Sequence, residues 1–249
     1  MSAYYNEFDP YAAQWLRNLI AAGLICSGDV DERSIVDVAA SDLDGYTQCH
    51  FFAGIGVWSH ALRSAGWSDE RPVWTGSCPC QPFSIAGRKR GADDHRHLWP
   101  EFYRLILGRR PHVVFGEQVA GADGRAWLDG VYDDLEDAAY SVGAVTTQAA
   151  CFGAAHERER LYFVANTERE GRQGLVPNDS IPIGTGSALA EPSDHDAVTR
   201  AALDGDFGRL LRCDGTTVSL ERSKLHAYGN GLYAPQAAGF IAAAMEVLP

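Results

Sequence analysis

The sequence predicts an α/β protein: a mostly parallel sheet with helices on both faces, carrying a small irregular region. Three observations lead there. Over the first 166 residues, apolar runs of strand length alternate with segments whose apolar residues recur at helical spacing. Several of those strands end in a glycine or polar turn that opens directly into a helix, as crossover connections between parallel strands do. Beyond Asn166 the composition shifts, and residues 167–221 are rich in Gly, Ser, Thr, Asp and Arg with weak periodicity.

Taken in order, residues 3–9 (AYYNEFD) read as a short strand ending in acids. Residues 10–23 open with a proline, carry apolar residues at helical spacing and stop at Gly23. A polar stretch occupies 27–46, with no element assigned to it. Residues 49–56 (CHFFAGIG) read as an apolar strand running into a glycine turn, and 57–66 as the helix after it. Another strand is read over 73–80 (VWTGSCPC), an amphipathic helix over 96–110, and a strand with a polar tip over 112–119 (HVVFGEQV). A helix over 125–140 precedes a segment ending in CFG, and 160–166 (RLYFVAN) is a strong strand. The chain closes with a loop and an apolar helix over 229–248. The expected division is a body of 1–166 with 222–249 and an insert of 167–221, with no internal repeat.

A length of 249 residues with 46% apolar content supports one α/β domain with a sizeable core. No apolar run approaches the roughly 18 residues a membrane span needs, and the opening residues lack the basic-then-apolar order of a secretion signal. The six cysteines, at 26, 49, 78, 80, 151 and 213, are scattered in the manner of a reducing cytosol rather than a disulfide framework. Cys78 and Cys80 are too tightly spaced for a zinc pair and no second pair follows, so no metal is expected. The net charge of −12 argues against a general affinity for nucleic acid, though an enzyme needs only a local basic face. Arg88, Lys89 and Arg90, followed by Arg96, offer either such a face or a solvated loop.

Several strand ends carry chemically capable residues, and in parallel sheets ligands gather at the carboxyl ends of strands. Pro79-Cys80-Gln81-Pro82-Phe83-Ser84 places a cysteine between prolines on a polar loop, poorly suited to core packing and well suited to attack. Phe52-Ala53-Gly54-Ile55-Gly56 is a glycine turn before a helix N-terminus, where a ligand can approach the backbone. Glu7 and Phe8 close the first strand: the carboxylate can accept ribose hydroxyls and the ring can pack on a base, while Asp9 reads as the cap of the next helix. Glu117 ends another strand, and a glutamate of raised pKa there suits acid catalysis. Arg158 and Arg160 alternate onto one side of an extended segment, as a functional pair or as surface partners of Glu157 and Glu159.

Together these motifs resemble the DNA cytosine-5 methyltransferases. The resemblance rests on FFAGIG, NEFDPYAAQWL, the weaker SIVDV, PCQPFS, GEQV, HERER and the closing Gly229-Asn230-Gly231, and covers nearly all of the chain except 167–221. It implies a Rossmann-like, S-adenosylmethionine-dependent methyltransferase fold. It also implies methyl transfer from S-adenosylmethionine to C5 of cytosine in DNA. Cys80 is the implied nucleophile at C6, Glu117 the acid at N3, and Arg158 and Arg160 hold the base, the glutamate and the catalytic loop. The implied cofactor contacts are Phe52, Ala53, Gly54, Ile55, Gly56, Glu7, Phe8, Ile35 and Asn230. Gln81, Ser84, Arg88, Lys89 and Arg90 would face duplex DNA with a flipped cytosine, and Arg222 would position the segment before the closing motif.

This chain departs from the family's pattern in motif order, in three residues and in the size of its recognition space. Glu7 and Ser34 precede the glycine turn, and only 26 positions separate Gly54 from Cys80, so the acid-ended unit has moved to the N-terminus while its strand keeps its place in the sheet. Ser34 replaces an acid, Gln118 an asparagine and His156 a glutamine. The recognition space of 55 residues is small, which predicts a short recognition sequence or relaxed specificity. The compact chain points to a monomer of phage or prophage origin, with a cognate restriction nuclease as a candidate partner. Two other readings share these residues: a catalytically weak DNA-binding relative, and a cytosine-5 enzyme acting on RNA or nucleotides.

Overall fold

The computed structural model describes residues 2–79, 98–154, 158–167 and 232–248. Seven strands form one sheet: β1 (Ala3–Asn6), β2 (Gly28–Asp31), β3 (Gln48–Phe51), β4 (Val73–Gly76), β5 (Val113–Val119), β6 (Ser141–Gln148) and β7 (Glu159–Asn166). Their order is β2-β1-β3-β4-β5-β7-β6. The first five are parallel to one another, and β7 runs antiparallel between β5 and β6. The mostly parallel α/β architecture expected from the sequence is therefore present.

The central strands are buried on both faces, so their sequences read as apolar runs rather than alternations. Alternate residues feed opposite layers. Tyr4, Cys49, Phe51, Trp74, Val114 and Phe163 pack beneath α3 (Trp99–Arg109) and α4 (Ala122–Asp137), with Phe102, Leu105, Trp127 and Leu135 above them. On the other face, Val73, Val113, Phe115 and Tyr162 meet α2 (Val57–Ser64) and α5 (Ala234–Met245) through Trp58, Leu62, Phe240 and Ile241. Ala3 and Tyr5 meet α1 (Pro10–Ala21) through Leu16 on that same face.

The predicted boundaries follow local chemistry. Asp9 Oδ1 accepts from the Ala12 N–H at 2.9 Å, Pro10 fills the first helical position, and Gly23 follows the end of α1. The polar stretch 27–46 hides β2, which the sequence reading left without an element. Strand β2 lies at the sheet edge and is only four residues long, so polar contacts replace core packing. Tyr4 Oη donates to Asp31 at 2.7 Å, Arg33 clasps Asp31 at 2.7 Å, and Tyr46 Oη donates to Asp29 at 2.8 Å. The rest of that stretch forms two short 3-10 turns, Ile35–Asp37 and Ala40–Leu43, against α3.

The acid-ended unit at the N-terminus joins the same sheet as the glycine turn. Strand β1, which ends at the acids, precedes β3 in sequence and lies beside it in parallel register. Segment 168–231, which holds most of the expected insert 167–221, lies outside the described residues.

Candidate active site

One row of the sheet organises the site. Asn6 pairs with Phe51, Phe51 with Gly76, and Gly76 with Gly116. The next residue on each strand, Glu7, Phe52, Ser77 and Glu117, therefore emerges one step beyond a common line. At about 4.8 Å per strand interval, Glu7 and Glu117 stand roughly 15 Å apart along this edge. Because β7 is antiparallel to β5, its start lies at the same edge, and Glu117 faces Tyr162 while Val119 faces Arg160. Residues from β1, β3, β4, β5 and β7 thus reach one carboxyl-end line.

Glu117 is the most constrained acid on that line. Arg160 Nε lies 2.7 Å from its Oε1, with the two side chains 15% and 10% exposed. The Ser77 hydroxyl also hydrogen-bonds the Glu117 carboxyl, and Trp58 Nε1 donates to Ser77 Oγ at 3.0 Å. Burial pushes the Glu117 carboxyl above the ordinary carboxylate range, and the charges of Arg160 and Arg158 with the Ser77 bond pull it only part of the way back. Burial first, then the neighbouring Arg160 charge, pushes the Arg158 guanidinium down. A carboxyl that keeps its proton to higher pH, held by two donors at a sheet edge, can present that proton to a ring nitrogen.

The residue after Glu117 ties two loops together. Gln118 is buried; its Oε1 accepts from the Val119 N–H at 2.9 Å, and its Nε2 donates to the Cys78 carbonyl at 3.4 Å. That carbonyl lies two residues before Cys80. The asparagine-to-glutamine departure thus falls on a packing contact at the tip of β5. Burial pushes the Cys78 thiol well above its ordinary value, which marks it as a core residue rather than a nucleophile.

The glycine turn lies at the other end of the line. Glu7 Oε2 accepts from the Gly54 N–H at 2.7 Å and Glu7 Oε1 accepts from the Asp9 N–H at 2.8 Å, so one carboxylate joins the first strand's end to the turn. Gly54 has φ +56° and a Cβ built there would meet nothing within 4 Å: the turn's outer side is open. Gly56, at φ +82°, has the opposite surroundings, with Leu16, Leu19 and Ile25 side chains against it. Phe52 holds φ +53°, a strained backbone for an aromatic residue, and its half-buried ring meets the Phe102 ring edge-on. Ala53 is buried and Ile55 half-buried. Phe8, 72% exposed, stands beside this turn in sequence after Glu7.

The structure thus brings Glu7, Phe52, Gly54, Glu117 and Arg160 to one edge, with Arg158 within electrostatic reach of Glu117. Ile35 is placed differently from its expected role. It is buried at 2% in the core, because the 3-10 turn points it inward, and the exposed apolar residue there is Val36 at 53%. Ser34 Oγ accepts from the Val36 N–H at 3.4 Å and so caps that turn. Cys80, Gln81, Ser84, Arg88, Lys89, Arg90, Arg96, His156, Arg222 and Asn230 lie outside the described residues. Two contributors were not singled out from sequence, Ser77 and Trp58. The available signal for Ser77 was a small polar residue one position past a strand end, beside the cysteine motif.

The sheet order and the carboxyl-edge site define the S-adenosylmethionine-dependent methyltransferase fold. The crystal structure of a Spodoptera frugiperda DNMT2 mutant matches it with a TM-score of 0.54 at 11% identity, covering 96% of this chain and 90% of that one. Residues 68–190 match the model described as C-5 cytosine-specific DNA methylase. Among curated proteins the chain is similar to Type II methyltransferase M.NlaX of Neisseria lactamica, 28% identical over 165 residues, 65% of this chain and 43% of that protein. It is also similar to Type II methyltransferase M.HgiBI of Herpetosiphon aurantiacus, 35% identical over 107 residues, 41% of this chain and 24% of that protein. The chain thus spans less than half the length of these curated relatives.

Proposed function

We propose that this chain transfers a methyl group from S-adenosylmethionine to C5 of a cytosine in double-stranded DNA. The observation that carries the reading is the buried Glu117, held at 2.7 Å by Arg160 on the same sheet edge from which Ser77 and Cys78 lead to Cys80. The aromatic C5 of cytosine is too weak a nucleophile to take a methyl group unaided. The Cys80 thiolate adds to C6 while Glu117 delivers a proton to N3, which turns C5 into a nucleophile. S-adenosylmethionine supplies an electrophilic methyl on its sulfonium. A base then takes the C5 proton, the C6–sulfur bond breaks and N3 returns its proton to Glu117, restoring the aromatic ring, the thiolate and the acid. A base within a duplex cannot reach this edge, so the cytosine turns out of the helix.

The cofactor side fits that ligand. Gly54 leaves open space above the turn, and the apolar side chains of Phe8 and Val36 are available to an adenine face. The Glu7 carboxylate, steadied by the Gly54 and Asp9 N–H groups, is an acceptor suited to ribose hydroxyls. Phe52 and Ile55 are further contacts on the turn. Names of curated relatives identify Type II methyltransferases, which supports a DNA substrate and a restriction–modification setting.

Cys80→Ser is expected to abolish methyl transfer while leaving cofactor binding intact. Duplex DNA containing 5-fluorocytosine is expected to trap a covalent adduct, because the fluorine cannot leave as a proton does. Bisulfite sequencing of treated DNA reads both product and sequence context. Methylation by the serine variant, or product at a base other than cytosine, overturns the reading.

A further inference from the structure

Ser77 is the first residue past β4, and Glu117 stands beside it on β5, because Gly76 and Gly116 pair in parallel register. The Ser77 hydroxyl hydrogen-bonds the Glu117 carboxyl. Trp58 Nε1, on α2, donates to Ser77 Oγ at 3.0 Å. A helix, a strand end and the buried acid are thus joined through one hydroxyl.

An indole nitrogen can only donate, so Ser77 Oγ is the acceptor of that bond and its own proton remains for the carboxyl. The Trp58 ring is 2% exposed, stacked on Phe115 at 6.2 Å and edge-on to Tyr162 at 6.1 Å. Its N–H therefore reaches Ser77 from a rigid support. Filling that space calls for an aromatic ring but not for a nitrogen, and a buried N–H without an acceptor costs stability. An alanine at position 77 would equally complete the strand end. The polar atoms of Trp58 and Ser77 satisfy each other, and the proton left over is committed to Glu117.

We propose that Ser77 is a positioning residue for Glu117 and that Trp58 aims it, occupying the serine oxygen so that the hydroxyl donates to the carboxyl. Arg160 holds the same carboxyl at 2.7 Å from β7, and the Arg158 charge acts on it from the same strand. Tyr162 lies opposite Glu117 in register, its phenol without a hydrogen-bond partner among the described residues. A donor to the carboxylate favours its charged form, so Ser77 sets how readily Glu117 yields its proton. It also steadies the acid from the segment that leads to Cys80. The catalytic consequence rests on the reading that Glu117 works on cytosine, whereas the contact itself can be tested without turnover.

Ser77→Ala in the full chain removes the oxygen and little else. Carbon-13 NMR titrates the Glu117 carboxyl, with Glu117→Gln assigning its signal. The midpoint is expected to rise by about one pH unit in Ser77→Ala, the low end for a hydrogen bond to a charged group. Trp58→Phe leaves the hydroxyl free to turn, so there the midpoint is expected to rise by less. The double variant is expected to rise no further than Ser77→Ala alone. The high-pH limb of kcat is expected to move up with the midpoint, while the cofactor KM stays within about twofold. A purely structural lesion would lower kcat at every pH without moving that limb. An unmoved midpoint in Ser77→Ala, or shifts that simply add in the double variant, overturns the proposal. Methylation of cytosine by a protein whose midpoint does not move leaves the proposed function standing. A moved midpoint in a protein that methylates no cytosine supports the contact and sinks that function instead.

Discussion

Arg160 and Glu117 form a pair in which both partners have left most of the water, at 15% and 10% side-chain exposure. Removing one partner of such a pair leaves an uncompensated buried charge, which costs about 3–5 kcal/mol. Arg160→Met keeps the aliphatic packing and removes the guanidinium. Glu117, already pushed up by burial, then rises further, so the folded state binds a proton that the unfolded state has released. The stability lost is expected to grow as pH rises above the ordinary carboxyl range, and to shrink in acid, where Glu117 is protonated in both states. Urea unfolding of parent and variant at pH 5 and pH 8 checks this; a pH-independent difference would mean the pair is not what holds the carboxylate. Glu117 was legible in sequence because an acid ends an otherwise apolar strand. Ser77 and Trp58 were not, since neither residue type is unusual at a strand end or in a helix. Val36 was not legible as the exposed apolar residue beside Ile35, because spacing cannot tell which side of a 3-10 turn faces inward.

At the scale of elements, the apolar strands and amphipathic helices were readable because burial on both faces imposes continuous apolar runs. Strand β2 escaped because it stabilises its edge position with tyrosine hydroxyls and an arginine rather than with core residues. Strand β3 carries a feature that only the fold reveals. His50 is 1% exposed, stacks on Tyr5 at 4.9 Å and shares a 2.8 Å hydrogen bond between Nδ1 and Thr75 Oγ1, while its Nε2 meets no partner among the described residues. Burial pushes this imidazole down to about 3. The folded state thus holds His50 neutral while the unfolded chain takes a proton below its ordinary value near 6.5. Stability contributed by the neutral ring is present above that value and is lost as pH falls toward 3, at about 1.4 kcal/mol per pH unit. Between pH 6.5 and 4.5 that amounts to about 2 kcal/mol. His50→Phe, though less stable at neutral pH for want of the Thr75 bond, is expected to lose correspondingly less on acidification. Guanidinium unfolding across that range measures the difference, and equal slopes in both proteins would remove His50 as the cause.

For the molecule as a whole, the sequence order suggested a displaced acid-ended unit, and this sheet is compatible with such a displacement. The row Asn6–Phe51–Gly76–Gly116 aligns strand ends irrespective of the order in which the chain visits them, so a site built from those ends survives rearrangement. How the proposed DNA substrate would be held was less legible, because the residues expected to face it fall in segments whose polar composition imposes no period. Charge sets the remaining constraint. With 33 acidic against 21 basic residues, the protein as a whole repels a phosphate backbone. An acidic enzyme that acts on duplex DNA must therefore concentrate its attraction, and the densest basic run in the sequence, Arg88-Lys89-Arg90, follows Cys80 by eight positions. Each phosphate contact contributes about 0.9 to the slope of log affinity against log salt. Replacing Arg88 and Lys89 with alanine is expected to weaken duplex binding at low salt and to reduce the slope by about 1.8, while leaving cofactor binding unchanged. Fluorescence anisotropy of a labelled duplex across a salt series reads both quantities. An unchanged slope would show that this run is merely solvated and that attraction to DNA is spread over other residues.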